Sequence, residues 1–247
     1  MKNIMLCEGS TDFILLQYFM RKAYNWQDSK EKILQNSKQF TRVRTLVKNE
    51  NTLTIAGTGG CNKMIGCLKY LLEMSKISGY ENEPFQKIAV MIDRDEITTE
   101  EEFKAELKQC LDEESVIIEN DIVHNEWFSV FYENVRGEKK KVSILLLIIP
   151  FEETGALETF LLNAIAKKDT YDAELIKQCN QFVETVDIEK RYLNKRRYLT
   201  KSKFDVYFSI RTAAEQFVER QNILKNINWE DYEEIQNSFK KLKELSN

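Results

Sequence analysis

The stretch that decides the fold is Lys2-Asn3-Ile4-Met5-Leu6-Cys7, followed by Glu8-Gly9-Ser10-Thr11-Asp12. The apolar residues of the first six predict a buried β-strand, and the next five break it ahead of a helix. A second strand of this kind is predicted over residues 87–92 and breaks into Asp93-Arg94-Asp95-Glu96. Ligands of an open α/β sheet bind at the carboxyl ends of its strands. Two acidic clusters at such ends therefore predict one shared site.

The expected occupant of this site is a divalent cation. Carboxylates that converge at one edge repel one another unless a cation lies among them, and Mg²⁺ prefers carboxylate, water and phosphate oxygens. Asp93 and Asp95 are two residues apart, so in an extended segment both side chains point to the same side. We expect both to bind Mg²⁺, or Mn²⁺ in its place, with capping of the next helix as the alternative role. The sequence thus predicts magnesium-dependent phosphoryl transfer.

The turn at residues 8–12 is predicted to belong to the same site. Glu8 is placed to bind metal or to accept a proton from an attacking water. Gly9 permits the tight turn, and the following helix offers free N–H groups to phosphate. Asp12 is a further candidate metal ligand, although capping of the helix is the role we favour for it.

Two more turns carry candidate residues. Gly59, Gly60 and Lys63, at and after a glycine-rich turn, are candidates for phosphate binding. Their spacing is neither that of a dinucleotide-binding fingerprint nor that of a P-loop, so an ordinary β-to-α turn is the alternative. Residues 150–158 end a predicted strand and open a helix. Glu158 is thus a candidate metal ligand and, equally, a surface or capping carboxylate.

Charge is distributed unevenly, although the net charge is only −4. Residues 81–121 hold fourteen acidic and four basic residues, whereas residues 188–203 hold seven basic residues against the single acid Glu189. This asymmetry suits an acidic, metal-loaded pocket beside a basic strip that a polyanion follows. The alternative for the strip is a solvated helix face.

Within the basic strip, aromatic and cationic side chains alternate in the way that nucleic-acid surfaces often show. Arg196, Arg197 and Lys201 are the candidate residues for binding phosphate or nucleic acid. Lys203 is the candidate for a catalytic lysine that steadies the charge of a phosphoryl transition state.

Composition narrows the class of protein. The chain of 247 residues is long enough to bury a core, and 43% of its residues are hydrophobic. No apolar run approaches the roughly 20 residues of a membrane span, and the start of the chain turns acidic too early for a signal peptide. Five unevenly spaced cysteines indicate reduced thiols in a cytoplasmic protein. His124 is the only histidine, which argues against a zinc site of standard spacing.

The order of elements predicts an α/β fold with a mainly parallel sheet flanked by helices. Strands are predicted over residues 2–7, 53–56, 87–92 and 142–149, with helices between them. A further apolar run covers residues 127–131, and residues 25–50 fit a short helix or a hairpin. Helix-like spacing then dominates over residues 155–166, 172–186, 203–218 and 229–245. We expect an α/β core over residues 1–160 and a helical extension over 161–247 packed on it.

These residues together resemble the Toprim domain, which topoisomerases, primases, small RNA-maturing nucleases and overcoming-lysogenization-defect (OLD) nucleases share. That family carries a glutamate after its first strand, here Glu8, and an Asp-x-Asp after its third, here Asp93 and Asp95. The glycine pair of residues 59–60 is also similar. The chain most resembles small stand-alone Toprim-like proteins related to OLD nucleases, with a Gly-x-Leu-Glu helix start at 155–158 and a Lys-x-Lys at 201–203.

The resemblance implies metal-dependent cleavage of a phosphodiester in RNA or DNA, in a defence or toxin effector. An ATPase partner would be a separate chain, because the chain lacks the attached ATPase of OLD proteins, and a homo-oligomer is a further expectation. Two alternatives stay open. A non-catalytic module that binds nucleotide or nucleic acid, or an adaptor, would keep the fold without turnover. A receiver-like phosphoacceptor would leave the Glu8 turn without a role.

Overall fold

The predicted first strand is present and lies at the centre of the sheet. The structure, a computed structural model, describes residues 1–31, 33–34, 37–77, 84–214 and 219–246. The strands are β1 (Lys2–Cys7), β2 (Gln27–Asp28), β3 (Arg42–Lys48), β4 (Asn51–Gly57), β5 (Lys87–Asp93), β6 (Ile117–Ile118), β7 (Trp127–Glu133) and β8 (Lys139–Ile149). The α-helices are α1 (Ser10–Tyr24), α2 (Met64–Ile77), α3 (Thr99–Glu113), α4 (Leu157–Lys168), α5 (Thr170–Val186), α6 (Arg196–Arg211), α7 (Arg220–Asn226) and α8 (Glu233–Phe239).

The eight strands form one mixed sheet in the order β2-β3-β4-β1-β5-β8-β7-β6. The four central strands, β4, β1, β5 and β8, are parallel. The strands outside them pair in antiparallel fashion on both edges. The α/β class and the four parallel strands are thus as predicted, but the expected mainly parallel sheet is wrong, because antiparallel strands extend both edges.

Each face of the sheet buries its own hydrophobic core, since alternate residues of a strand point to opposite faces. In β1, Met5 and Cys7 pack with α1 and the helices of the second half of the chain. Ile4 and Leu6 face the other way and pack with α2 and α3. The sheet is therefore the middle layer of three, and its central strands are buried on both faces.

The helices after β8 pack on the α1 side of the sheet. Phe160 of α4, Phe208 of α6 and Phe239 of α8 belong to the same core as α1. The helix predicted over residues 203–218 corresponds to α6, which begins earlier, at Arg196, and ends at Arg211. Residues 215–218 of the prediction lie outside the described residues. In the part of the chain that the structure describes, none of the helices is both long and apolar enough to cross a membrane.

Candidate functional site

Glu8 joins the ends of two neighbouring strands. It follows β1, and its Oε1 accepts a hydrogen bond from the backbone N–H of Asp93 at the end of β5, with 2.9 Å between the atoms. The two strands run parallel and in register, with Cys7 opposite Met91. Their carboxyl ends therefore meet at one edge, as the sequence predicts.

Asp93 in turn holds the start of α4. Its Oδ1 accepts a hydrogen bond from the backbone N–H of Leu157, the first residue of that helix, over 3.0 Å. A carboxylate at a helix N-terminus satisfies a free N–H group and interacts favourably with the helix dipole. The side chain is thus fixed by the fold before any ligand binds.

Asp12 and Glu158 are two carboxylates buried behind this edge, with 6% and 3% of their surface exposed. Asp12 Oδ2 accepts a hydrogen bond from the backbone N–H of Gly9 over 2.7 Å, which is a capping role. The Thr11 hydroxyl donates to Glu158 Oε1 over 3.4 Å. Burying carboxylates is costly unless charge or hydrogen bonds compensate, and these two hydrogen bonds offset part of that cost.

The glycine pair supports the Glu8 turn. The backbone N–H groups of Gly59 and Gly60 both donate to the Glu8 carbonyl, over 2.9 and 3.1 Å. Gly59 has φ +86°, and an added Cβ would lie 2.7 Å from Thr41 Cγ2. These N–H groups are already used within the protein, so the pair shapes the turn rather than offering two free donors to phosphate. Lys63 is exposed and lies outside the cleft.

The acids face a cleft of about 440 Å³. Its walls are the turn at residues 8–12, residues 59–61, Asp93, Asp95, Glu158 and the first turns of α6. The structure therefore brings all five predicted acidic residues to one cavity, although Asp12 and Glu158 are far apart in the chain.

Burial, together with the charges of neighbouring carboxylates, raises the pKa of three acids of the cleft. Burial, together with the negative charges of Asp12 and Asp95, raises the pKa of Glu8 to about 7. Burial and the charge of Glu158 raise the pKa of Asp12 to about 6. The pKa of Asp93 lies well above its usual range, first through burial and then through the charges of Asp12 and Glu8. The cleft thus holds more negative charge than its own cations offset, and a divalent cation would lower these pKa values.

Arg94 stands between the two aspartates in sequence but points away from the cleft. Its Nε donates to the Pro150 carbonyl and its Nη2 to Glu100 Oε2, each over 2.8 Å. Only 8% of Arg94 is exposed. The side chain therefore ties the Asp93–Asp95 loop to the end of β8 and to α3. Sequence reasoning assigned no role to Arg94.

The cations of the cleft come from the start of α6. Arg196, Arg197 and Lys201 line it, and Arg196 Nη2 lies 3.4 Å from Asp95 Oδ1. Burial lowers the pKa of Lys201, against the charges of Glu158 and Asp12. Lys203 lies outside the cleft and forms an ion pair with Glu184.

The carboxylate oxygens of the cleft suit Mg²⁺ chemically, but they are not arranged as a complete coordination site. Among the described residues, no three acidic, histidine or cysteine side chains are grouped so that they could hold a metal ion. Each of Glu8, Asp12 and Asp93 accepts a hydrogen bond from a backbone N–H with one oxygen, and the Cys61 thiol also hydrogen-bonds to Glu8. Carboxylate oxygens have further lone pairs that a ligand can use. Mg²⁺ keeps several waters and binds through one or two carboxylates. The all-oxygen set suits it, and the hydrogen bonds from backbone N–H groups orient these carboxylates.

A solved structure resembles this chain in fold. A hypothetical protein, PH0156 from Pyrococcus horikoshii OT3, has 16% identity and a TM-score of 0.51, over 98% of this chain and 99% of that one. A glyoxalase/dioxygenase from Nostoc punctiforme has 12% identity over 58% of this chain and 88% of its own, with a TM-score of 0.19. The first shows a shared fold alone, and the second is too dissimilar to carry an argument.

Comparison of sequences identifies a family without assigning an activity. No curated protein matches the chain. The profile of a family described as "Protein of unknown function (DUF3226)" matches residues 2–246. Since the match spans nearly the whole sequence, the chain belongs to the DUF3226 family.

Proposed function

We propose that the protein is a Toprim-type nuclease that uses Mg²⁺, or Mn²⁺ in its place, to hydrolyse phosphodiester bonds in RNA or DNA. The observation that carries this proposal is the hydrogen bond between Glu8 and the Asp93 N–H at the head of an acid-lined cleft. Glu8 follows the first parallel strand in chain order and Asp93 ends the third. This is the placement of acids that the Toprim resemblance implies.

In this proposal Asp93 and Asp95 hold the metal ion, with Asp12 and Glu158 as further candidate ligands. Bound Mg²⁺ would polarise the phosphate and lower the pKa of an attacking water. Glu8 completes the site or takes up the proton from that water. Burial of Glu8 raises its pKa in the metal-free cleft, which makes its carboxylate a stronger base than that of an exposed glutamate.

The cations of α6 face the acids across the cleft and are suited to the substrate's phosphates. Lys201 is half-buried between acidic and basic neighbours, where a cation interacts with charge more strongly than in water. We assign to Lys201 the stabilisation of the transition state that the sequence suggested for Lys203, since Lys203 pairs with Glu184 instead.

Cleavage assays test the proposal directly. Purified protein is incubated with tRNA, single-stranded DNA or supercoiled plasmid, in Mg²⁺, Mn²⁺ or EDTA. We expect cleavage that requires metal and is lost in Asp93→Asn, which keeps the oxygen that accepts the Leu157 N–H. Glu102→Gln is the matched control, because Glu102 is exposed on α3 and lies outside the cleft. Undiminished metal-dependent cleavage by Asp93→Asn/Asp95→Asn would contradict the site assignment.

A second candidate is a non-catalytic module that binds nucleic acid or nucleotide. It is favoured by the contact of Arg196 with Asp95, because an arginine already compensates the acid that the nuclease would use for metal. Calorimetric titration with Mg²⁺ separates the two functions. A nuclease should bind Mg²⁺ in the millimolar range or tighter and lose affinity on Asp95→Asn, whereas the module should bind oligonucleotide equally well without metal.

A further inference from the structure

The loop between α5 and α6 is held in a defined conformation by hydrogen bonds to one side chain. The Asp187 carboxylate accepts hydrogen bonds from the backbone N–H groups of Arg191, Tyr192 and Leu193, over 3.1, 2.7 and 2.7 Å. These bonds lower the pKa of Asp187, so the carboxylate is charged at neutral pH. The Asp187 carboxylate thus fixes the backbone of three successive residues.

This loop presents an aromatic ring with a cation beside it. Tyr192 is 70% exposed, and the Arg191 guanidinium lies 5.4 Å from the centre of its ring. The arrangement repeats at the start of α6, where Tyr198 is 44% exposed and Lys195 Nζ lies 5.8 Å from its ring centre. Exposed rings paired with cations match the way in which proteins hold bases and phosphates of a single strand.

The two tyrosines lead to the cleft. Tyr192 precedes Arg196, which lines the cleft, by four residues, so their Cα atoms are at most about 14 Å apart. Tyr198 and Lys201 are three residues apart on α6 and are neighbours on its surface. Arg191, Lys195 and Arg197 form no ion pair with a carboxylate in the described ranges, unlike Arg196 and Lys203.

We propose that residues 187–201 bind a single-stranded polynucleotide and direct it into the acidic cleft. The inference rests on the proposed function and names its substrate class. Stacking on Tyr192 and Tyr198 requires bases that are free of partners, because the faces of paired bases are covered within a duplex. The cleft of about 440 Å³ has the size of a small-molecule pocket, which gives enough room for one unpaired nucleotide.

Binding in EDTA tests this surface without any cleavage. Fluorescence anisotropy is measured with labelled oligo-U and oligo-dT of about 12 nucleotides and with a duplex of equal length. We expect either single strand to bind more tightly than the duplex. Tyr192→Ala/Tyr198→Ala should weaken single-strand binding by at least about 25-fold, at roughly fivefold or more for each lost stacking contact.

Matched variants separate stacking from charge. Tyr192→Phe/Tyr198→Phe should bind as the wild type does, and so should Tyr171→Ala, which removes an exposed ring outside this surface, at the start of α5. Replacing Arg191, Lys195 and Arg197 by glutamine should reduce the slope of log affinity against log salt by about 2. Stronger binding of oligo-U than of oligo-dT, with both above the duplex, would identify RNA as the preferred strand, and the reverse would identify DNA.

Equal or tighter binding of the duplex, or unchanged affinity in the double alanine variant, would overturn this inference. Such a result leaves the nuclease proposal intact, because the acids of the cleft are tested separately by metal-dependent cleavage. Conversely, single-strand binding that depends on both tyrosines, without cleavage in any metal, would support the proposed binding surface and overturn the nuclease proposal.

Discussion

The guanidinium of Arg94 donates a hydrogen bond to Glu100 over 2.8 Å, although Arg94 stands between the two aspartates of the cleft. The same side chain holds the Pro150 carbonyl. Its backbone carbonyl accepts the N–H of Gly155, over 2.8 Å. Arg94 therefore links the Asp93–Asp95 loop to the segment that leads into α4 and Glu158. Its charge lies on the side of the loop that faces away from the cleft.

Arg94→Lys should destabilise the protein by about 1–3 kcal/mol, because lysine lacks the rigid fork that bonds Glu100 and the Pro150 carbonyl together, so the buried carbonyl loses its donor. Urea unfolding at pH 7 measures the change. Arg44→Lys is the matched control, because Arg44 pairs with Asp28 at the surface and should lose at most about 1 kcal/mol. Equal losses in the two variants would contradict the proposed tie.

Without metal, stability should fall as the pH rises from 5 to 8. The folded protein binds a proton on Glu8 more tightly than the unfolded chain, since its pKa is raised to about 7. This stabilisation is complete below the ordinary pKa of a glutamate and is lost as the pH rises through 7. One such group contributes a slope of at most about 1.4 kcal/mol per pH unit.

Thermal unfolding in EDTA, from pH 5 to 8, measures this slope. Glu8→Gln should reduce this slope, because the amide does not titrate, but should not abolish it, because Asp12 and Asp93 still have raised pKa values. Glu102→Gln should leave the slope unchanged. Saturating Mg²⁺ should stabilise the wild type more at pH 8 than at pH 5.5, since the cation competes with protons for the same carboxylates. A slope that is the same in wild type and Glu8→Gln would show that Glu8 is not the titrating group.

The strand ends could be predicted because their signals are local. An apolar run that breaks into acids marks both β1 and β5, and parallel strands must align their ends. β3 carries no such run, since Arg42, Arg44 and Lys48 interrupt its apolar residues, and it pairs outside the parallel strands. The sequence therefore does not predict that β3 extends the sheet as an antiparallel strand.

Local sequence signals do not show in the same way which cation faces the acids of the cleft. Lys201 and Lys203 lie two residues apart, and which of them faces the acids depends on how α6 rotates against a core built from distant segments. Phe204 and Phe208 are fully buried and set that rotation. The role of Arg94 could not be predicted for a similar reason. Its partners, Glu100 and Pro150, belong to segments whose packing against the loop is not evident from the sequence.

Arg196→Gln should tighten Mg²⁺ binding by up to about fivefold. The arginine lies 3.4 Å from Asp95 and competes with a metal ion for its charge. The limit follows from the small free energy of exposed ion pairs, at most about 1 kcal/mol. Calorimetric titration measures the affinity, with Arg197→Gln as the control, because it removes a neighbouring charge that pairs with no carboxylate among the described residues. An identical gain in both variants would mean that general charge, not the contact, opposes the metal.

Lys201→Met should lower kcat of nucleic-acid cleavage by about 100-fold, whereas Lys203→Met should change it by less than about threefold. Lys201 lines the cleft, and methionine keeps the length of its stem while removing the charge. Lys203 pairs with Glu184 on α5, so its loss removes only an ion pair outside the cleft. Single-turnover cleavage at saturating Mg²⁺ separates this effect from substrate binding. A larger loss in Lys203→Met than in Lys201→Met would return the catalytic role to Lys203 and imply that α6 rotates when substrate binds.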